Sequence, residues 1–232
     1  MKNNERIIYG ILITVLVFAV SSFFGTKLNL NIVFFPSSFV THSLMLLLSI
    51  VFIYSLRKFV NYNFAAPQFK KILKPILLGL LATILVNVTM TIMTKILGGK
   101  VEAHPLLTKM SPLQTFIFVF IYASIAEEFL FRGFLLNILK PINSKGIYIL
   151  KRKISVSVLI SAIAFGLAHL ILIRTGVGVF FLMKIVIFTT VLGLIAGYYQ
   201  EKYDNHAYAI IVHMSGNLMG VIGALLMNLN SY

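Results

Sequence analysis

Residues 123–136 read ASIAEEFLFRGFLL and place two adjacent glutamates and an arginine within a long apolar run. The segment from Pro112 to Ala126 is almost entirely apolar, Glu127 and Glu128 follow it, and Arg132 comes four positions after the second glutamate. The whole chain has only six acidic residues. Ionisable side chains at membrane depth are costly, so they face the interior of a helical bundle, pair with one another and usually mark function. The stretch therefore predicts a buried polar site within a membrane helix.

The composition of the chain is that of a membrane protein. It has 232 residues, of which 59% are hydrophobic and 11% charged, and its mean hydropathy is +0.96. A soluble domain would be about a quarter charged. Long apolar runs recur from end to end, which predicts an all-α, polytopic transmembrane helical bundle. The chain has no cysteine, so disulfides, thiol catalysis and Cys-ligated zinc are excluded.

Hydropathy and chain breakers predict seven membrane helices, at residues 7–25, 38–57, 73–97, 112–139, 154–173, 177–199 and 207–228. The polar motifs divide the chain into two parts. Residues 1–110 contain the first three helices and carry no motif, whereas residues 111–232 contain the helices that carry all of them. We therefore expect the second part to be the catalytic one.

The basic residues predict how the helices are oriented. The formal net charge is +14, and the Lys and Arg residues lie mainly in short loops between apolar runs. With the N-terminus inside, thirteen fall on the inner side and five on the outer side, while Arg132 and Lys184 lie within helices. This bias follows the positive-inside rule and predicts an N-in, C-out protein. Because the rule accounts for the positive charge, we expect the lipid bilayer and no nucleic acid as a partner.

Helix geometry separates the roles of the two glutamates. Glu128 and Arg132 are spaced i, i+4, so they share one helix face and can form an ion pair. Neighbouring helical residues point about 100° apart, so Glu127 can face a cavity instead.

Two further helices carry polar pairs at the same spacing. The fifth predicted helix contains Phe165 and His169, and the seventh contains His213 and Asn217. A glutamate, two histidines and an asparagine that converge in a bundle core are what hydrolysis by an activated water requires. The carboxylate takes a proton from water, one imidazole orients that water, and the second imidazole with the amide stabilises the oxyanion. The alternative is a buried polar cluster with a purely structural role.

The three motifs, Glu-Glu-xxx-Arg, Phe-xxx-His and His-xxx-Asn, occur in this order on successive helices between residues 127 and 217. In this the sequence resembles the type II CAAX prenyl endopeptidases and their bacterial relatives, the CPBP or Abi family of intramembrane proteases. The resemblance implies that Glu127 and His169 activate the attacking water and that His213 and Asn217 stabilise the oxyanion. It also implies that Glu128 and Arg132 support the site and that Phe165 packs it.

Members of this family are often described as metalloproteases, so a divalent metal such as zinc, bound by Glu127, His169 and His213, is an alternative to a metal-free mechanism. The expected substrate is a membrane-anchored peptide or protein, such as a bacteriocin or pheromone precursor, and the expected location is a bacterial plasma membrane. Two other functions stay open, namely a non-catalytic scaffold or bacteriocin-immunity protein and a proton-coupled transporter. His42, His104 and His206 are interpreted as having no role in the site, and Lys184 as either an interfacial or a substrate-binding residue.

Overall fold

The computed structural model describes residues 2–28, 30, 32–105, 109–149 and 151–229. Within these ranges the chain forms a bundle of seven helices and one short β-hairpin. The helices are α1 (Asn3–Lys27), α2 (Phe39–Ser55), α3 (Phe69–Ile96), α4 (Pro112–Leu136), α5 (Val156–Ala168), α6 (Val179–Tyr203) and α7 (Ala207–Leu229).

The predicted fold class is confirmed. Among the described residues, six helical segments are long and apolar enough to cross a membrane, and α2 is a shorter apolar helix of 17 residues. Their exposed surfaces are rich in large apolar side chains such as Leu12, Leu81 and Leu226, as expected for helices surrounded by lipid. The chain is a multi-pass membrane protein.

The region before α5 differs from the prediction of a helix at 154–173. Residues Gly146–Ile149 (β1) and Arg152–Ser155 (β2) form an antiparallel hairpin. The Oγ atom of Ser155 accepts a hydrogen bond from the backbone N of Val158 and caps α5, which therefore begins at Val156. At its other end, α5 continues as a 3₁₀ helix, His169–Thr175.

The loops group at two opposite ends of the bundle. At the end with the basic loops, which we call the inner end, Arg6 Nη1 donates to the carbonyl of Phe59, and Lys140 pairs with Asp204 at 2.6 Å. At the opposite, outer end, Gln114 Nε2 donates to the carbonyl of Phe34. Lys184 lies only five residues after the start of α6, so it is near the outer end rather than mid-helix as predicted.

The inner half of α4 is the centre of the bundle. Every residue from 130 to 139 is buried, and Leu130, Phe134, Leu135 and Ile138 form the main core cluster with residues of α1 and α2. A helix that is apolar on all sides belongs in the centre of a bundle. The helix has π-helical hydrogen bonding over Thr115–Ala123 and Phe129–Leu136, on either side of the two glutamates. It ends at Leu136, three residues before its predicted end.

Counted from the outer end of the bundle, α2 begins at a greater depth than α4. Phe39, the first residue of α2, stacks on Tyr122 in the middle of α4, with ring centroids 5.4 Å apart. The preceding residues Phe34 and Phe35 contact Phe118 at 5.4 and 5.8 Å. The first turn of α2 is therefore level with the glutamates, which the sequence did not predict.

Candidate active site

The two glutamates of α4 have different surroundings, as predicted. Glu128 is completely buried, and its Oε1 atom accepts a hydrogen bond from Arg132 Nη1 at 2.9 Å. The side chain of Glu127 is 17% exposed and lines a cavity of about 890 Å³. One carboxylate is thus neutralised within the protein, and the other is available for chemistry.

Close packing holds Arg132 in place. Its guanidinium carbon lies 4.5 Å from the centre of the Phe165 ring, a distance typical of a cation–π contact. On the α6 side, Gly193 leaves room for the guanidinium, because a Cβ atom at this position would overlap Arg132 Nη2 and press on Ala162. The predicted supporting residues Glu128, Arg132 and Phe165 therefore form one contiguous layer beneath the cavity.

His213 connects the two glutamates. Its Nδ1 atom lies 2.9 Å from Glu128 Oε1, and its Nε2 atom lies 3.7 Å from Glu127 Oε2. Since an ionised carboxylate only accepts hydrogen bonds, Nδ1 carries the proton in the contact with Glu128. The ring is fixed by Glu128, and its other nitrogen faces Glu127 and the cavity.

His169 and Asn217 line the same cavity. His169 is the first residue of the 3₁₀ segment, and its Nδ1 atom lies 2.9 Å from the carbonyl oxygen of Phe165. A carbonyl can only accept, so Nδ1 is the protonated nitrogen and Nε2 is an acceptor. The Nδ2 atom of Asn217 donates to Ser124 Oγ at 3.0 Å and to the carbonyl of Val119 at 3.3 Å. The amide is thus held against α4.

His42 is a site residue that the sequence interpretation missed. Its Nε2 atom lies 3.3 Å from Oε1 of Glu127, although the two residues are 85 positions apart in the chain. It also lines the cavity. The interpretation placed it at a helix end without a role, because no motif surrounds it. Its position in an apolar helix was the available signal.

Two other histidines also have definite places. His206 lies under the site at the inner end, with Nε2 3.1 Å from the carbonyl of Glu128 and Nδ1 3.0 Å from the hydroxyl of Tyr62. Burial lowers the pKa of His206 to about 4. His104 lines the cavity near the outer end, and burial also lowers its pKa to about 4.

The cavity does not open where we expected. At about 1.5 Å per residue, the predicted helices place the four catalytic residues about 9–22 Å from the inner ends of their helices. The sequence therefore predicts a site in or near the inner half of the membrane that is accessible from the inner side. Instead the lining of the cavity includes Pro36, His104 and Thr175, which belong to outer connections. Toward the inner side, residues 130–139, which form the inner part of α4 and the residues just after it, are all buried.

The residues predicted to bind a metal do not form a metal site in this arrangement. A catalytic zinc needs about three protein ligands and an open position. In the part of the chain that the structure describes, no group of three or more His, Cys, Asp or Glu side chains is arranged to hold a metal ion. Glu127, His169 and His213 face one cavity, but His42 and His213 contact the carboxylate. Their role as metal ligands stays a prediction.

The site is thus a buried carboxylate–arginine pair next to a cavity lined by a carboxylate and histidines, within a bundle of membrane helices. Residues 109–219 match the family model described as "Type II CAAX prenyl endopeptidase Rce1-like". Residues 109–219 are therefore similar to this family, and the resemblance noted in the sequence is confirmed. No curated protein and no solved structure matches the chain significantly.

Proposed function

We propose that this protein is an intramembrane endopeptidase that hydrolyses a peptide bond of a membrane-associated peptide or protein, with Glu127 as the general base. The observation that carries the proposal is that Glu127, His169, His213 and Asn217, from three helices, line one cavity above a neutralised Glu128–Arg132 pair. The similarity of residues 109–219 to a protease family supports it. A bacterial plasma membrane and a peptide precursor as substrate belong to the same proposal.

In the proposed reaction, the carboxylate of Glu127 takes a proton from a water molecule that also donates to Nε2 of His169. The oxygen of that water bonds to the carbonyl carbon of the scissile peptide, and the C=O electron pair moves onto the oxygen. The C–N bond then breaks, and the leaving amine takes the proton that Glu127 received. General-base catalysis of this kind contributes about 10²–10⁴ in rate.

The oxyanion of the intermediate needs hydrogen-bond donors aimed into the cavity. His213 supplies one from Nε2 when its ring is doubly protonated, and the Glu128 carboxylate at its Nδ1 atom stabilises that cation. Asn217 supplies the other, by exchanging its longer bond, 3.3 Å to the Val119 carbonyl, for the oxyanion. In this arrangement Glu128 orients His213, as the aspartate orients the histidine of a serine protease.

The test is the Glu127→Gln variant, which keeps the shape of the side chain but cannot accept the proton. We expect normal amounts of folded protein in the membrane and a loss of about 10²–10⁴ in turnover. Membrane peptidomics of cells expressing wild type or Glu127→Gln identifies the uncut substrate, and Glu5→Gln, at the inner end of α1, is the matched control. Wild-type turnover by Glu127→Gln would remove Glu127 from the role of base.

A further inference from the structure

The position of the cavity within the bundle indicates from which face of the membrane a substrate can reach Glu127. We infer that the substrate reaches Glu127 from the outer face of the membrane and is a short apolar peptide segment presented on that face. The inference rests on the proposed function, to which it adds the direction of access and the class of substrate.

The lining of the cavity comes from the outer end of the bundle. Its residues include members of the three outer connections, namely Leu28, Leu30, 35–38, 102–104, Arg174 and Thr175. Among the residues that the structure describes, none of those lining the cavity belongs to an inner connection. Glu127 is fifteen residues after Pro112, the outer end of α4, which corresponds to about 22 Å at 1.5 Å per residue. The cavity is therefore a deep funnel that descends from the outer end to the site.

The inner side of the site is sealed by packed protein. Directly below Glu127 lies the buried layer of Glu128, Arg132 and His206, and His206 is bonded to the backbone of Glu128. A second cavity of about 910 Å³ at the inner end is lined by residues such as Arg6, Arg57 and Lys140, and it shares no lining residue with the first. Water from the inner side therefore does not reach Glu127 in this conformation.

The distribution of charge determines which face of the membrane is the outer one. Thirteen Lys and Arg residues lie in the inner loops or in the helix ends next to them, and five lie in the corresponding outer regions. Lys184 joins the outer set, because its Nζ atom lies 3.5 Å from the carbonyl of Glu102. The ratio of thirteen to six still places the inner end in the cytoplasm by the positive-inside rule. The funnel then opens on the opposite, non-cytoplasmic face.

The chemistry of the walls points to the kind of substrate. Above its polar floor the larger part of the cavity wall is apolar, with side chains such as Phe18, Val40, Val88 and Phe181, and polar wall residues such as Asn87 lie among them. Its volume of about 890 Å³ is within the range of roughly 300–1,000 Å³ typical of sites for small ligands. A few residues of extended apolar chain fit such a space, whereas a folded domain does not.

The absence of cysteine allows a direct test with single-cysteine variants. Ala168→Cys places a thiol beside His169 in the wall of the cavity, Thr175→Cys places one at its mouth, and Ser144→Cys places one in the exposed inner loop. A charged, membrane-impermeant maleimide is applied to intact cells and to inside-out vesicles. Asn87→Cys, in the α3 wall of the cavity, replaces Ala168→Cys if that variant does not accumulate.

We expect Ala168→Cys and Thr175→Cys to react at least tenfold faster in intact cells, and Ser144→Cys to react at least tenfold faster in inside-out vesicles. Faster reaction of Ala168→Cys in inside-out vesicles, or no reaction from either side while Thr175→Cys reacts, would overturn the inference. Because labelling needs no catalysis, this outcome does not depend on the proposed protease activity.

The substrate class is tested by comparing the new peptide N-termini in cells with wild type and with Glu127→Gln. We expect the termini that need Glu127 to lie in apolar segments on the non-cytoplasmic face. Termini in cytoplasmic segments would overturn the inference and leave the protease function intact. If no terminus depends on Glu127, the proposed function and the substrate class both fail, while the labelling still decides the side on which the cavity opens.

Discussion

At the scale of single residues, the two neighbouring glutamates differ in chemistry because their surroundings differ. The Oε1 atom of Glu128 contacts both Arg132 and His213 at 2.9 Å, and the carboxylate is removed from solvent. Glu127 has only histidines around its carboxylate, at 3.3 and 3.7 Å, and borders the cavity. Removing one partner of a buried ion pair leaves an uncompensated buried charge, which is costly. Replacing Glu127 should therefore have a different consequence from replacing Glu128.

Arg132→Ala tests the structural half of this division. It leaves Glu128 buried beside His213 without its cation, and we expect a loss of about 3–5 kcal/mol in the free energy of unfolding. Thermal unfolding in detergent measures the loss, with Arg174→Ala, at the exposed outer end of the 3₁₀ segment, as the control. Equal stability of the two variants would mean that the buried pair has no structural role.

His42 is the residue whose function the structure newly suggests. The contact with Glu127 is a hydrogen bond to a charged group, a type that contributes about 1.5–3 kcal/mol. We expect His42→Ala to lower kcat by about 10–100-fold with little change in KM, because the carboxylate loses its orientation. His42→Gln, which keeps a donor, should recover part of the rate.

The control for His42 is Ser43→Ala on the same turn of α2, where the hydroxyl contacts Tyr122 instead of Glu127. Its kcat should stay near the wild-type value. Wild-type kcat in His42→Ala would show that His42 is only a packing neighbour, whatever its effect on stability.

At the scale of the elements, close approach between helices decides the geometry of the site. Gly166 of α5 packs on Thr190, and Gly193 of α6 packs on Arg132 and Ala162. Small residues allow the backbones of membrane helices to approach closely. The α5–α6 contact thus fixes Phe165 over Arg132, and the change to a 3₁₀ helix at His169 begins one turn later.

Gly193→Ala tests this close approach. The added methyl group has no free space between Arg132 and Ala162, so we expect a loss of about 1–3 kcal/mol in stability from overpacking. Gly223→Ala in α7 is the matched control, because a Cβ atom there meets nothing within 4 Å. We expect the control to be neutral or slightly stabilising, since alanine favours a helix over glycine by about 0.5–1 kcal/mol. Equal destabilisation by both changes would contradict this explanation.

At the scale of the whole molecule, the bundle has one cavity at the basic end and another toward the opposite end, and packed protein separates the two. The core of α1, α2 and the inner half of α4 lies between them, and the late start of α2 leaves room for the cavity that contains Glu127. Helices from residues 1–110 therefore help to form the cavity, through His42 of α2 and Asn87 of α3. The division at residue 110 stays a prediction about where the motifs lie.

The stability of the whole bundle should fall in acid because of two histidines at its ends. The pKa values of His104 and His206 are lowered by burial to about 4, against an ordinary value of 6.5. Between these values the unfolded chain binds more protons than the folded one, so stability decreases as the pH falls from about 6.5 to 4. Thermal unfolding across this range should show the decrease, and it should be smaller in His206→Gln. An unchanged slope in this variant would remove His206 from the explanation.

The sequence by itself determined the seven apolar helices, the excess of basic residues at one end of the bundle, the Glu128–Arg132 pair and the three motifs on α4, α5 and α7. These depend on local quantities, namely hydropathy, the charges of short loops and the i, i+4 spacing of one helix. Only the tertiary structure decided that His42 contacts Glu127, that Asn217 is held against α4 and that the cavity opens at the outer end. Such features depend on how far one helix is shifted along another, and this shift is set by the packing of residues such as Phe39, Tyr122 and Gly193, which lie far apart in the chain.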